Sequence, residues 1–183
     1  MGHAYQAGAV TCGDMTAVPF SHCSYCGATY PTDAAWPRLC AACGETVWRN
    51  PLPVAVALLP VRTDEGLGLV VVRRDIEPAR GLLALPGGFI EYGEEWADAM
   101  VRELREETGL IGDAAQATLF AVHSAPAGGT IMIFGELPER PAHTLPPSAP
   151  TEEATEWLVL TQPVELAFST HTQAMADFFA CHA

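Results

Sequence analysis

Lysine is absent from the sequence, so all nine basic residues are arginine and stand against 22 acidic ones, for a formal net charge of −13. Phosphate-backbone binding draws on a clustered basic patch, and this balance therefore disfavours nucleic acid as a partner. No stretch approaches the roughly 20 consecutive apolar residues that cross a bilayer. The N-terminus also lacks a positively charged segment leading into an apolar core, the mark of a secreted chain. These absences predict a cytoplasmic protein with no membrane partner. They do not exclude a small phosphorylated substrate, because divalent cations neutralise a site locally and arginine's planar fork suits bidentate phosphate contacts.

What is present supports one core of ordinary size with a small appendage, since the chain has 183 residues and is 49% hydrophobic. Residues 1–20 carry scattered Gly and Ala without periodicity and read as a flexible leader. Residues 21–50 hold four of the six cysteines, and Arg49-Asn50-Pro51-Leu52-Pro53 is a stiff connector into a main domain over 51–183. In that domain, 54–61 and 67–72 are valine-rich runs that read as a buried hairpin around Thr63-Asp64-Glu65-Gly66. Further extended segments are expected at 82–85 and just past Pro86-Gly87-Gly88, then at 117–122, Thr130–Glu136 and 156–160. Four prolines within 140–150 predict a loop. Helices are expected over Trp96–Thr108, stopped by Gly109, and over 172–180.

Cys23-x-x-Cys26-Gly and Cys40-x-x-Cys43-Gly are separated by 13 residues, a spacing that lets two knuckles share one tetrahedral Zn²⁺. Two disulfides are the alternative. Four thiolates would fill the zinc shell, which makes the site structural. His22 is adjacent and reads as a bystander, while Cys12 and Cys181 are left over. The segment sets Arg38 and Arg49 against Asp33 and Glu45, so its surface is not basic. Folding, dimerisation or lidding a substrate pocket suit it better than nucleic-acid binding, and the apolar strand content is compatible with a homodimer.

The most informative segment runs from Gly88 through Glu94 to Arg102-Glu103-Leu104-Arg105-Glu106-Glu107-Thr108-Gly109-Leu110. On a helix turning about 100° per residue, Glu103, Glu106 and Glu107 share an arc, while Ala97, Met100, Val101, Leu104 and Thr108 centre on a neighbouring, core-facing one. One reading is a solvated face with ion pairs such as Asp98 with Arg102. Like charges three and four apart repel by a few tenths of a kcal/mol, however, and the arrangement brings no benefit without a cation. The other reading is a site for Mg²⁺ or Mn²⁺, which takes carboxylates together with substrate phosphate oxygens and water.

The segment Gly88–Leu110 resembles the Nudix signature G-x5-E-x7-R-E-U-x-E-E-x-G-U, with U aliphatic, at every fixed position over 23 consecutive residues. The resemblance implies an α/β fold, an α/β/α sandwich around a mixed sheet, and hydrolysis of a nucleoside diphosphate linked to another group X. It also implies roles. Glu106 and Glu107 become the principal metal ligands, Glu103 a further ligand or the base that activates water, and the Gly88 carbonyl part of the metal shell. Glu94 and Arg102 orient the others. Because the family's base is not always on this helix, Glu152, Glu153 and Glu156 remain candidates beside the plainer reading of an acidic loop before a strand. Arg73, Arg74, Arg80 and Glu153 are substrate-binding candidates, and for each arginine the alternative is a surface ion pair with Asp75 or Glu77.

A ribbon followed by this domain is similar to two Nudix subgroups, the NADH pyrophosphatases and a group acting on FAD or ADP-ribose. The first carry Ser-Gln-Pro-Trp-Pro-Phe-Pro-x-Ser after the helix, whereas this chain has Ser124-Ala125-Pro126-Ala127-Gly128-Gly129-Thr130. Trp48-Arg49-Asn50-Pro51, Ile76-Glu77-Pro78 through Gly81-Leu82, Leu85-Pro86-Gly87-Gly88 and Leu166-Ala167-Phe168-Ser169 look like the second group, with Leu83 where a tryptophan is frequent. The expected substrate is thus a small nucleotide such as FAD, ADP-ribose, NADH or a nucleotide sugar, cleaved to a nucleoside monophosphate and a second phosphate. A nucleotide-sensing binding module that acts on a partner through the ribbon is the rival, and hydrolysis at an RNA 5′ end is a third reading. Phe89, Tyr92, Trp96, Phe120, Phe134 and Trp157 are candidates to stack a base, or are core.

Overall fold

A computed structural model describes residues 18–182. Cys12 and most of the leader expected over 1–20 lie outside the described residues. The chain divides between Asn50 and Pro51 into two compact units.

In the first unit, β1 (Arg38–Leu39) pairs antiparallel with β2 (Thr46–Val47), and a small apolar cluster of Cys23, Tyr30 and Cys40 lies beside them. Arg38 is a structural residue here. Its guanidinium stacks over the Trp36 and Tyr30 rings and donates to the carbonyls of Ala34 and Phe20.

The second unit holds two sheets. The four-stranded one is ordered β7 (Gly87–Phe89), β3 (Leu52–Leu58), β9 (Thr130–Glu136), β8 (Thr118–Ser124), with β3 and β9 parallel and the other pairs antiparallel. The five-stranded one is ordered β10 (Arg140–Pro141), β4 (Pro60–Thr63), β5 (Gly66–Arg74), β11 (Ala154–Leu160), and β6 (Leu83–Ala84) also pairs with β5. Helices α1 (Trp96–Thr108) and α2 (Ser169–Cys181) complete a mixed α/β architecture. No helix among the described residues is long and apolar enough to cross a membrane.

Alternation along the buried strands explains the layering, because successive side chains of a strand point to opposite faces. Ala55, Ala57, Val70 and Val72 enter one cluster with Met100 and Leu104 of α1, whereas Val56, Leu58, Leu69 and Val71 enter a second with Met175 and Phe178 of α2. Continuous valine-rich runs are the signature of strands covered on both faces.

The expected hairpin of 54–61 with 67–72 forms only in part. The first run breaks at Leu59, so that its N-terminal half lies in the four-stranded sheet beside β9 and only Pro60–Thr63 pairs with β5. Pro60 has no backbone N–H to continue a ladder, which favours the switch at that step. The proline-rich 140–150 segment is mostly loop but opens with β10, paired parallel with β4.

Candidate functional site

Helix α1 spans Trp96–Thr108 and is capped by Gly109, whose φ of 74° lets its N–H reach back to the Arg105 carbonyl at 2.8 Å. Its buried apolar face is Ala99, Met100 and Leu104, which leaves Ala97 and Val101 half-buried. Glu107 is buried beside them at 4% exposure. Among the described residues it makes no ion pair, and its Oε2 accepts only the Gly87 N–H, at 3.1 Å. Burial pushes this carboxyl up to about 8 against the pull of the Gly87 amide, and Glu103 and Glu153 add to the push.

Arg102 organises the other carboxylates. Its Nε and Nη2 hold Glu94 at 2.8 and 3.0 Å, Nη1 reaches Glu103 at 2.7 Å and Glu106 at 3.2 Å, and Nη2 also donates to the Phe89 carbonyl at 3.0 Å. This guanidinium pulls Glu94 down to about 2, helped by the Glu91 amide. Burial pushes Glu103 above the usual carboxylate range, against Arg102. Glu106 stands more open, with 52% of its side chain exposed against 12% for Glu103. Thus Glu103 and Glu106 turn onto Arg102 while Glu107 turns onto the loop, and the three carboxylates do not meet at one point.

The loop itself is built for close approach. A Cβ on Gly88 would fall 2.5 Å from the Glu103 carboxyl carbon, and one on Gly87 would strike the Ala55 carbonyl and lie 2.7 Å from the Val56 Cα. At Gly87 the obstruction is backbone, so only glycine fits, whereas a side chain at Gly88 would displace the Glu103 carboxyl.

The remaining candidates separate. Glu153 lies near enough to Glu103 and Glu107 to raise both carboxyls. Glu156 instead pairs with Arg73 at 2.7 Å, and Arg80 pairs with Asp75 at 2.7 Å. Arg74 takes neither course. Its guanidinium sits 5.2 Å from the Phe168 ring centre, Nε donates to the Pro78 carbonyl, and its charge is felt at Glu107 and His171. Of the aromatic candidates, Phe134 and Trp157 are buried and Trp96 and Phe120 half-buried, whereas Phe89 and Tyr92 are exposed. The residue sequence reasoning missed is His171 at the start of α2. Its Nδ1 accepts the Leu85 N–H at 3.2 Å across 86 positions of sequence, a pairing no local pattern announces.

In the first unit, one sulfur from each of Cys23, Cys26, Cys40 and Cys43 lies within 4.8 Å of every other. The Cys23–Cys43 and Cys26–Cys40 sulfur separations are 3.8 and 3.6 Å. A disulfide needs about 2.05 Å, whereas the edge of a ZnS₄ tetrahedron with bonds of about 2.3 Å is about 3.8 Å. The sulfurs therefore fit a tetrahedral thiolate metal site and not disulfides. Gly27 and Gly44, with φ of 76° and 79°, close the two knuckles by donating to the carbonyls of Cys23 and Cys40. The amides of Cys43 and Ala42 hold the Cys40 thiol below its ordinary value. Cys181 is a free, exposed cysteine outside this cluster.

The family model of the NUDIX domain matches residues 51–180. The chain belongs to the Nudix family. An ADP-ribose pyrophosphatase of Methanocaldococcus jannaschii is 45% identical over 58 residues, 32% of this chain and 33% of that protein. An NAD-capped RNA hydrolase, NudC, of Shigella flexneri is 33% identical over 90 residues, 49% of this chain and 33% of that one. These matches span about a third of the relatives' own length. Among solved structures, a NUDIX hydrolase from Nitrosomonas europaea superposes with a TM-score of 0.65 at 22% identity, covering 87% of this chain and 90% of that one, which shows a shared fold.

Proposed function

We propose that this Nudix protein is a divalent-metal-dependent pyrophosphohydrolase acting on a nucleoside diphosphate linked to X. The observation that carries the reading is the buried, cation-free carboxylate of Glu107 beside Glu103, Glu106 and the Gly87-Gly88 loop. Burial without a positive partner raises such a carboxyl, as it does Glu107, and a divalent cation would favour its ionised form; Mg²⁺ or Mn²⁺ suits an all-oxygen set of this kind. In this reading Glu106, Glu107 and the Gly88 carbonyl hold the cation, with Glu103 as a further ligand or the base. When bound, it would neutralise phosphate oxygens and lower the pKa of an attacking water.

The side chains divide the rest of the work. Arg102 fixes Glu94 and Glu103 from one guanidinium, and the Gly87 N–H sets the orientation of Glu107. Glu103 or Glu153 takes the water's proton, since both lie at the cluster and burial raises Glu103 towards the range a general base needs. Arg74 holds the phosphate that is not attacked, because it has no carboxylate partner among the described residues, whereas Arg73 and Arg80 are already paired. FAD and ADP-ribose are the favoured substrates, supported by the likeness to an ADP-ribose pyrophosphatase and the lack of the NADH-type pattern after α1. In the first unit, the four thiolates hold structural Zn²⁺.

Incubation with Mg²⁺ or Mn²⁺ and a panel of FAD, ADP-ribose, NADH, UDP-sugars, dinucleoside polyphosphates and nucleoside triphosphates tests this, with products separated by chromatography. Selective cleavage at a pyrophosphate is expected. Tight binding of a panel member without turnover would instead identify a nucleotide sensor.

A further inference from the structure

We propose that His171, at the far end of the chain, is the positioning residue that locks the Leu85–Gly88 loop in place for the carboxylates of α1. The inference rests on the functional reading above only in calling that loop metal-bearing.

The Leu85 amide is buried between the two sheets. β6 belongs to the five-stranded sheet and β7 to the four-stranded one, so Leu85 and Pro86 carry the chain from one sheet to the other. A residue at such a crossover lies outside both ladders, and a buried N–H there still requires an acceptor. Pro86 contributes no N–H, and its carbonyl accepts from Ala57 at 2.8 Å. Leu85 does contribute one and is only 1% exposed. Its acceptor is the Nδ1 of His171, itself 3% exposed.

The surroundings fix the ring. The Phe168 and Phe134 rings pack edge-on against the imidazole at 5.1 and 5.7 Å, and the His171 N–H donates to the Phe168 carbonyl at 3.0 Å. The Ala167 N–H also donates to the Leu83 carbonyl at 2.7 Å, so the approach to α2 grips the chain on both sides of Ala84. Because Nδ1 accepts, the ring's proton sits on Nε2. Burial, with the charge of Arg74 adding, holds the imidazole neutral far below its ordinary value, as an accepting Nδ1 requires. Two residues beyond Leu85 stands Gly87, whose N–H sets Glu107, and then Gly88, whose lack of a Cβ leaves the space that the Glu103 carboxyl occupies. A loose amide at Leu85 would therefore reach both carboxylates through a two-residue lever. A histidine with no substrate or metal contact would act on the site in this way, through the loop.

Two near-isosteric substitutions separate the roles of the ring atoms. In His171→Asn the amide oxygen takes the place of Nδ1, whereas in His171→Gln the acceptor is carried towards the position of Nε2. Hydrogen exchange at the Leu85, Gly87 and Gly88 amides is measured first, without divalent metal, followed by Mn²⁺ titration monitored by electron paramagnetic resonance. The expected result is exchange at Leu85 about ten-fold faster in the Gln variant than in the Asn variant, on the scale of one lost buried hydrogen bond. Mn²⁺ affinity should fall about ten-fold in the Gln variant and be largely kept in the Asn variant, as when a ligand loses the group that orients it. Equal exchange in the two variants, or faster exchange with unaltered Mn²⁺ affinity, would overturn the proposal. Failure of the parent protein to bind Mn²⁺ would sink the metal-site reading, and exchange at Leu85 would still decide whether His171 holds the loop.

Discussion

The cysteine ribbon and the glutamate helix, proposed as a sulfur and an oxygen ligand set, are both written in short sequence motifs, yet they are assembled in opposite ways. The four sulfurs already stand at tetrahedral edge distances, because each Cys-x-x-Cys-Gly turn aims its own pair and the pairs need only face each other. The three glutamates share a helix without meeting, since Arg102 draws two of them one way and the Gly87 amide draws the third another. A structural site gains from closure, while a site that admits substrate oxygens and water gains from ligands that leave positions open. That difference predicts that damage to the two sites will be expressed in different currencies, folding for the ribbon and turnover for the helix.

The largest effect expected is on turnover. Glu107→Gln keeps an acceptor for the Gly87 N–H but removes the charge, so kcat should fall by about three orders of magnitude, some 4 kcal/mol of barrier. Circular dichroism should show the fold unchanged. Activity within a few-fold of the parent would show, on the helix side, that the α1 carboxylate is not needed for turnover. From the other side, Cys40→Ser should abolish the metal content of residues 21–50 and unfold that unit, since metal binding and folding are one transition in such small sites. Thiol titration would show it as rapid reaction of the remaining ribbon cysteines, and protected thiols in that variant would contradict a structural thiolate site.

Much of this contrast is legible in the sequence, for a physical reason: both motifs are local. The bounds of α1, its glycine stop and strand Thr130–Glu136 fall where periodicity places them, and the Cys-x-x-Cys-Gly knuckles close through contacts a few residues apart. What sequence did not disclose is non-local. The break at Leu59 depends on which sheet each half of the run finds. Whether an arginine is free depends on Glu156 and Asp75, and only Asp75 is near in sequence. The hydrogen bond from Leu85 to His171 depends on where a C-terminal helix docks, and the expected start of that helix, 172, falls just past the residue concerned.

A smaller effect separates the arginines. Arg74→Ala should raise KM for the cleaved substrate about ten-fold, the scale of one charge-assisted contact. Arg73→Ala and Arg80→Ala should change it less than about three-fold, because both side chains sit in exposed ion pairs that contribute little. Equal effects at all three positions would remove the special place given to Arg74.

A separate effect appears in stability against pH. His171 titrates at an ordinary 6.5 when unfolded and at about 3 when folded. The unfolded chain therefore binds the extra proton first, and stability is lost as pH falls from about 6.5 towards 3. Between pH 7 and pH 5 the parent should lose about 2 kcal/mol that His171→Asn does not lose. Urea denaturation at the two pH values measures this, and parallel losses in both proteins would contradict it.

Mn²⁺ binding by electron paramagnetic resonance in three proteins, the zinc-loaded parent, Glu107→Gln and Cys40→Ser, decides whether the α1 carboxylates hold a divalent cation independently of the ribbon. The parent and Cys40→Ser are expected to bind Mn²⁺ alike, and Glu107→Gln is expected not to bind it. Binding that survives Glu107→Gln, or that disappears with the ribbon cysteine, would place the divalent site elsewhere and contradict that expectation.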